Sequence, residues 1–178
     1  PIVAYGSASG TAMKFARIVA DFIGTKSLAI NNLTIKQMLT RKVAIFVIST
    51  IGEGEYPTNS RKFIKQLIDS MDVLSDVKFA VCALGNHSYK YYYRAGINLY
   101  ELLEQHLAKP IVPLVKIDTS LEDKGETAFE GWCQTLSREL GLKPPKIEVH
   151  LNYSLKEVDD DGIISNPLNP VGFELASI

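Results

Sequence analysis

The chain is predicted to fold as an α/β domain, a doubly wound five-stranded parallel sheet with helices on both faces. Three observations predict it. Short runs rich in apolar and β-branched residues alternate with segments of helical period. The strongest run, residues 43–49, is apolar up to its last position, as a central strand buried on both faces must be. Glycine-containing loops follow the first, third and fourth runs, where strand-to-helix connections belong.

The first strand covers residues 2–5. After the loop 6–10 comes a helix with Phe15, Ile18, Val19 and Phe22 on one stripe, stopped at Gly24. A weak strand at 27–30 and a short helical piece at 34–39 lead to the central strand. A helix near 60–71 turns Phe63, Ile64, Leu67, Ile68 and Met71 inward, and 78–84 is the next buried strand. The following helix carries Leu99, Leu102 and Leu103. Residues 111–117 form the fifth strand, where Pro113 marks an edge or an irregularity. The last helix presents Phe129, Trp132, Cys133, Leu136 and Leu140 and stops at Gly141. These elements make a domain of residues 1–142. Residues 143–178 read as a linker, because Pro144-Pro145, the acidic run Asp159-Asp160-Asp161-Gly162 and two Asn-Pro pairs replace the sheet pattern.

At 178 residues the chain is long enough for one domain with a real core and too short for two ordinary ones. Its net charge of −1, with lysines and arginines scattered, argues against a nucleic-acid surface. No apolar run approaches the ~20 residues that span a bilayer. The N-terminus opens into a strand instead of a signal peptide. Cys82 and Cys133 lie in apolar segments without CxxC spacing. They read as buried reduced thiols, hence a cytoplasmic, reducing compartment. The missing initiator Met suggests a segment of a longer protein, so an upstream membrane anchor stays open. His87, His106 and His150 have no metal-ligand spacing, and the acidic run lacks the rest of a calcium loop, so no metal site is expected.

In an open parallel sheet, ligands bind beyond the carboxyl ends of the strands. Three loops meet there. The first, Tyr5-Gly6-Ser7-Ala8-Ser9-Gly10-Thr11-Ala12, lets backbone N–H groups and a helix N-terminus converge on an anion, with hydroxyls from Ser7, Ser9 and Thr11. It has no lysine, so GxxxxGK[ST] is not satisfied and a single phosphate monoester suits it better than a triphosphate. A plain helix-capping turn would use the same residues. The second, Ser49-Thr50-Ile51-Gly52-Glu53-Gly54-Glu55-Tyr56-Pro57, has two glycines that let backbone approach a planar ligand, although an ordinary turn reads the same. The third, Leu84-Gly85-Asn86-His87-Ser88-Tyr89-Lys90-Tyr91-Tyr92-Tyr93, places four tyrosines in five positions. They offer aromatic faces for stacking, or for contact with another protein. Together the loops suit a flat aromatic cofactor carrying one phosphate, and FMN fits best.

On these residues the chain resembles the FMN domain of diflavin reductases, the group of cytochrome P450 reductase, sulfite reductase flavoprotein and the nitric oxide synthase reductase region. Ser7-Ala8-Ser9-Gly10-Thr11-Ala12 looks like the family's phosphate loop, and Ser49-Thr50-Ile51-Gly52-Glu53-Gly54 like its second loop. Leu84-Gly85-Asn86-His87-Ser88-Tyr89 looks like the third, with Ala95-Gly96 following. The resemblance spans roughly residues 2–140 and implies a flavodoxin-like sheet of order 2-1-3-4-5. It also implies that Ser7, Ala8, Ser9, Gly10, Thr11 and Ala12 hold the phosphate. Ser49, Thr50, Ile51, Gly52 and Gly54 would lie along the ring, and the peptide at Gly52 would answer protonation of flavin N5. Leu84, Gly85, Asn86 and His87 would line ring and ribityl chain. Tyr89 would stack on the ring, with Tyr92, Tyr93 and Asp118 nearby.

The resemblance further implies electron transfer. FAD and NADPH would be held by a further domain of the same polypeptide, and electrons would leave singly to a haem or iron–sulfur protein. The segment Asn169-Pro170-Val171-Gly172-Phe173 looks like the junction into that FAD domain. Glu53, Glu55, Glu122, Asp123 and Glu126 could form an acidic docking rim, or a solvated loop surface with no docking role. Ile51 departs from the family, which has a second stacking tyrosine there, and Thr119 replaces a second acid after Asp118. Tyr56 or one of Tyr91, Tyr92 and Tyr93 could compensate. Ile51 also keeps open a domain that has lost FMN and serves as an interaction module. A flavodoxin module attached to some other enzyme is the remaining alternative.

Overall fold

A computed structural model describes residues 1–146 of the chain. The elements are β1 (Ile2–Gly6), α1 (Thr11–Ile23), β2 (Ser27–Ala29), a 3-10 turn (Ile30–Asn32), α2 (Ile35–Arg41), β3 (Val43–Ser49), α3 (Thr58–Asp69), β4 (Lys78–Gly85), α4 (Arg94–Gln105), β5 (Lys109–Pro110), β6 (Val115–Asp118) and α5 (Glu126–Glu139). The linker reading of 143–178, His150, the acidic run and the junction segment lie wholly or mainly outside the described residues.

The strands pair in parallel in the order β2-β1-β3-β4-β5, with β6 also on β4. The predicted order 2-1-3-4-5 is therefore present, with β5 and β6 sharing the fifth position. The expected continuous strand at 111–117 is corrected. It breaks around Pro113: the Lys109 and Ile111 N–H groups donate to Val77 O and Phe79 O, and the next position in that alternation is Pro113, which has no N–H for the ladder.

Strand alternation builds two cores. From β3, Ile45 and Val47 face one side, with Phe15 and Val19 of α1 and Phe129, Trp132 and Leu136 of α5. Phe15 and Phe129 stack there at 4.2 Å between ring centroids. Ala44, Phe46 and Ile48 face the other side, with Met38 of α2, Phe63 and Leu67 of α3, and Leu99 and Leu103 of α4. A strand covered on both faces must be apolar at every position, which accounts for the run at 43–49. Thr34 caps α2 through a capping box with Gln37, and Gly24 closes α1 in the left-handed region at φ 78°.

Two expected core residues are not in the core. Helix α3 ends at Asp69, and Ile68 and Met71 are 60% and 94% exposed. Ser70 leaves the helix in extended conformation. Its hydroxyl bonds Asp72, a local alternative to another helical turn. Among the described residues no helix is long and apolar enough to cross a membrane.

Register fixes the geography of the loops. Gly6 sits opposite Ile48, Ser49 opposite Leu84, and Gly85 opposite Asp118. The carboxyl ends of β1, β3, β4 and β6 thus lie side by side, and all three candidate loops leave from one edge.

Candidate functional site

The first loop is closed by two side-chain acceptors, one of its own and one from α3. Ser7 Oγ accepts the Gly10 N–H at 2.9 Å, and the Ser7 N–H donates to Asn59 Oδ1 at 3.0 Å. Gly10, at φ 97°, turns the chain into α1 without a side-chain cap. Among the described residues, no acceptor takes the N–H of Ser9, Thr11, Ala12 or Met13. These donors open at the positive end of a 13-residue helix. Ala12 is buried in the core, so only its N–H faces the cradle, whereas Ala8 and Ser9 form the exposed tip.

The second loop is a small closed turn. Ile51 and Glu55 exchange both backbone bonds (3.0 and 2.8 Å), and Gly54 N–H also donates to Ile51 O. Gly52 and Gly54 take φ of 50° and 105°, the region that suits glycine. The Glu53 N–H donates to the Glu55 carboxylate, which lies where a Gly52 Cβ would point. Ser49 and Thr50 fix the base of the turn. Ser49 Oγ donates to Gly6 O, Thr50 N–H to Leu84 O, and Thr50 Oγ1 accepts the Ala95 N–H.

The third loop lies against the second, since a Cβ on Gly54 would come within 3.1 Å of Tyr91 Cβ. Leu84 is buried, and Gly85 is in such close contact with the Tyr92 carbonyl that a side chain has no room. A turn from Asn86 to Tyr89 (Tyr89 N–H to Asn86 O, 3.0 Å) leaves Tyr89 59% exposed. Lys90 Nζ and the Arg94 guanidinium each lie 4.9 Å from the Tyr91 ring centroid. Tyr92 and Tyr93 form a tilted pair at 4.4 Å.

His87 Nδ1 meets Asp118 Oδ2 at 2.6 Å. Asp118 Oδ1 accepts the Ser120 N–H at 2.9 Å and also the Ser120 hydroxyl. Above all the Ser120 hydroxyl bond, with the Ser120 N–H and His87 against an opposing loss of solvation, holds the Asp118 carboxyl well below the usual carboxylate range. Burial, then the Asp118 charge, pushes the Tyr93 phenol up.

Tyr56, a residue that could compensate for Ile51, packs partly against the core. Asn98 and Glu101 of α4 are its polar neighbours, and burial pushes its phenol up. Three of the five rim acids have structural work. Glu55 holds the Glu53 N–H, Asp123 caps α5 at Gly125 and Thr127, and Glu126 pairs with Lys14 at 3.3 Å. Asn59 and Ser120 were not legible as site residues in the sequence. Asn59 lies in the first turn of a helix from another crossover, and Ser120 only acquires meaning once Asp118 is placed opposite Gly85. Among the described residues no cluster of three His, Cys, Asp or Glu could hold a metal ion.

The residues present fit FMN. The open N–H groups at α1 suit a phosphate, and the exposed Tyr89 ring suits a flat heterocycle.

Sheet order and loop placement define an open, doubly wound α/β protein with its three candidate loops at the carboxyl edge. The Flavodoxin family model matches residues 3–132, and the chain belongs to the flavodoxin family. It is 34% identical to NADPH–cytochrome P450 reductase of Bos taurus over 154 residues, 80% of this chain and 23% of the reductase. Against sulfite reductase [NADPH] subunit beta of Schizosaccharomyces pombe it is 28% identical, covering 83% of this chain and 11% of that protein. The Protein MioC homolog of Haemophilus influenzae is 29% identical over 78% of this chain and 95% of its own length. The chain thus spans about a tenth of the sulfite reductase subunit and nearly all of the MioC homolog. A mutant flavodoxin from Pseudomonas aeruginosa superposes with a TM-score of 0.67 at 23% identity, covering 78% of this chain and 96% of that one, which supports the fold. The resemblance carried by the three loops therefore holds.

Proposed function

We propose that this domain binds FMN in its three loops and works as the electron-transfer module of an NADPH-dependent diflavin oxidoreductase. The observation that carries the reading is the junction of an open N–H cradle with an exposed aromatic shelf at one sheet edge. Family membership and the similarity to NADPH-dependent reductases support it.

Bound FMN would supply one-electron transfer, between a FAD-bearing domain of the same polypeptide and a haem or iron–sulfur acceptor. The chain's own residues bind and orient. The N–H groups at the start of α1, with the Ser9 and Thr11 hydroxyls, hold the phosphate. Tyr89 covers one ring face, and Ile51 gives the other an aliphatic neighbour. An aromatic pair contributes ~0.5–1.5 kcal/mol beyond area burial, so a single tyrosine implies weaker retention than two. Glu53 and Glu122, which have no structural bond through their carboxylates among the described residues, are the acids left to greet a basic acceptor.

The test is a visible absorption spectrum of the purified chain after FMN addition and desalting. Retained flavin at about one per chain, followed by reduction in one-electron steps, is the expected result. A protein that stays colourless would leave the cofactor-free interaction module as the better reading, on the strength of Ile51.

A further inference from the structure

The densest set of hydrogen-bonded polar side chains beyond the two glycine loops is His87, Asp118 and Ser120. Its composition is that of a hydrolase triad, but its wiring is not. Asp118 Oδ2 and Ser120 Oγ meet the same ring nitrogen, His87 Nδ1, at 2.6 and 2.8 Å. A serine nucleophile needs the opposite nitrogen from the one its carboxylate holds, so Ser120 is not activated. The bonds converge on the carboxylate instead. Asp118 accepts from His87, from the Ser120 N–H and from the Ser120 hydroxyl. Because a carboxylate only accepts, the bonded Nδ1 must carry the proton.

Thr119 fastens the same junction. Its N–H and its hydroxyl both donate to the Gly85 carbonyl, at 2.8 and 3.0 Å. The third loop is therefore tied at Gly85 and at His87 to the chain that follows β6. Tyr89 sits two residues beyond His87, at the end of the turn that Asn86 begins. Among the described residues, no separate contact with the core holds its exposed ring.

We infer that His87, bonded to Asp118 through Nδ1–H, is a positioning residue for Tyr89, and that Asp118 serves the cofactor through this clasp instead of by touching it. Ser120 is its third member. A loop ordered before binding spares the ligand the entropy of ordering it. The low proton affinity of Asp118 keeps the clasp ionised into acid. This inference rests on the FMN reading.

Three substitutions separate the roles. His87→Asn keeps a donor near the place of Nδ1, His87→Gln puts its donor near the place of Nε2, and His87→Ala has none. FMN titration of the purified full chain should show the dissociation constant raised roughly tenfold in the Ala and Gln variants and within about twofold of the parent in the Asn variant. In a Tyr89→Ala background, His87→Ala should cost nothing further. Without FMN, amide hydrogen exchange at residues 86–89 should quicken in the Ala and Gln variants alone. Equal affinity of the Asn and Gln variants, or an undiminished His87→Ala effect in the Tyr89→Ala background, overturns the inference. If the parent chain itself fails to bind FMN, the cofactor reading falls. The exchange comparison then still decides the clasp, and unchanged exchange in His87→Ala rejects it.

Discussion

The loop after β1 is fastened through two of its backbone N–H groups, whereas the loop after β4 is fastened through a carbonyl and a side chain to residues 118–120. In the first, Ser7 and Asn59 take up two polar contacts, and the N–H groups at the start of α1 are left without partners among the described residues. In the second, the polar groups of Gly85 and His87 are bonded to residues 118–120, and what faces outward is the Tyr89 ring. One loop keeps donors open for a charge. The other uses its donors and acceptors to hold a plane still. A ligand with a phosphate at one end and a ring at the other needs both, and neither loop alone distinguishes a cofactor site from a helix cap or a sticky patch.

The largest expected effect comes from removing the space on which the third loop depends. Gly85→Val drives a side chain into the Tyr92 carbonyl and should cost about 3 kcal/mol in urea unfolding, with loss of both FMN and riboflavin binding. Retention of parental stability would mean that the loop is not seated as described. Ser7→Ala sharpens the contrast at smaller cost. It leaves the Gly10 N–H without its acceptor, worth ~1 kcal/mol, and should weaken FMN while sparing riboflavin, which lacks the phosphate. Equal losses for the two ligands would count against a phosphate cradle. The smallest effect is on acid stability. Asp118 is held below the usual carboxylate range, so its contribution is fully present above the unfolded value. It is lost as pH falls below about 4 and through the folded value. Asp118→Asn should therefore lower stability at neutral pH, where the carboxylate contributes, flatten the fall between about pH 4 and pH 2, and converge on the parent in acid. An equally steep acid limb in the variant would show that other groups carry it.

Legibility followed the range of the interaction. Residues 43–49 declare a central strand because burial on both faces constrains every position. The first two loops declare themselves because glycines and hydroxyls act within a few residues of one another. Ile68 and Met71 misled, since an apolar spacing of three and four continues past Asp69 although the helix does not. Its stop is a serine–aspartate contact, not a glycine or proline. Pro113 announced an irregular strand, but not that the strand would split into β5 and β6. The clasp was out of reach because His87 and Asp118 are 31 residues apart and meet only through the pairing of β4 with β6. Resemblance alone places Asp118 near a cofactor, whereas its bonds to His87 and Ser120 depend on the register.

The broken fifth strand has a consequence for how the protein behaves in a crowded solution. A sheet invites addition of foreign strands wherever a long, flat border leaves its ladder open. Among the described residues, β2 offers three residues on one border, and on the other β5 offers two, one of them a proline, before the break that precedes the four of β6. Such short and interrupted borders are poor templates for cross-β growth, so the long apolar strands at the centre, β3 and β4, are shielded from intermolecular pairing while the domain stays folded.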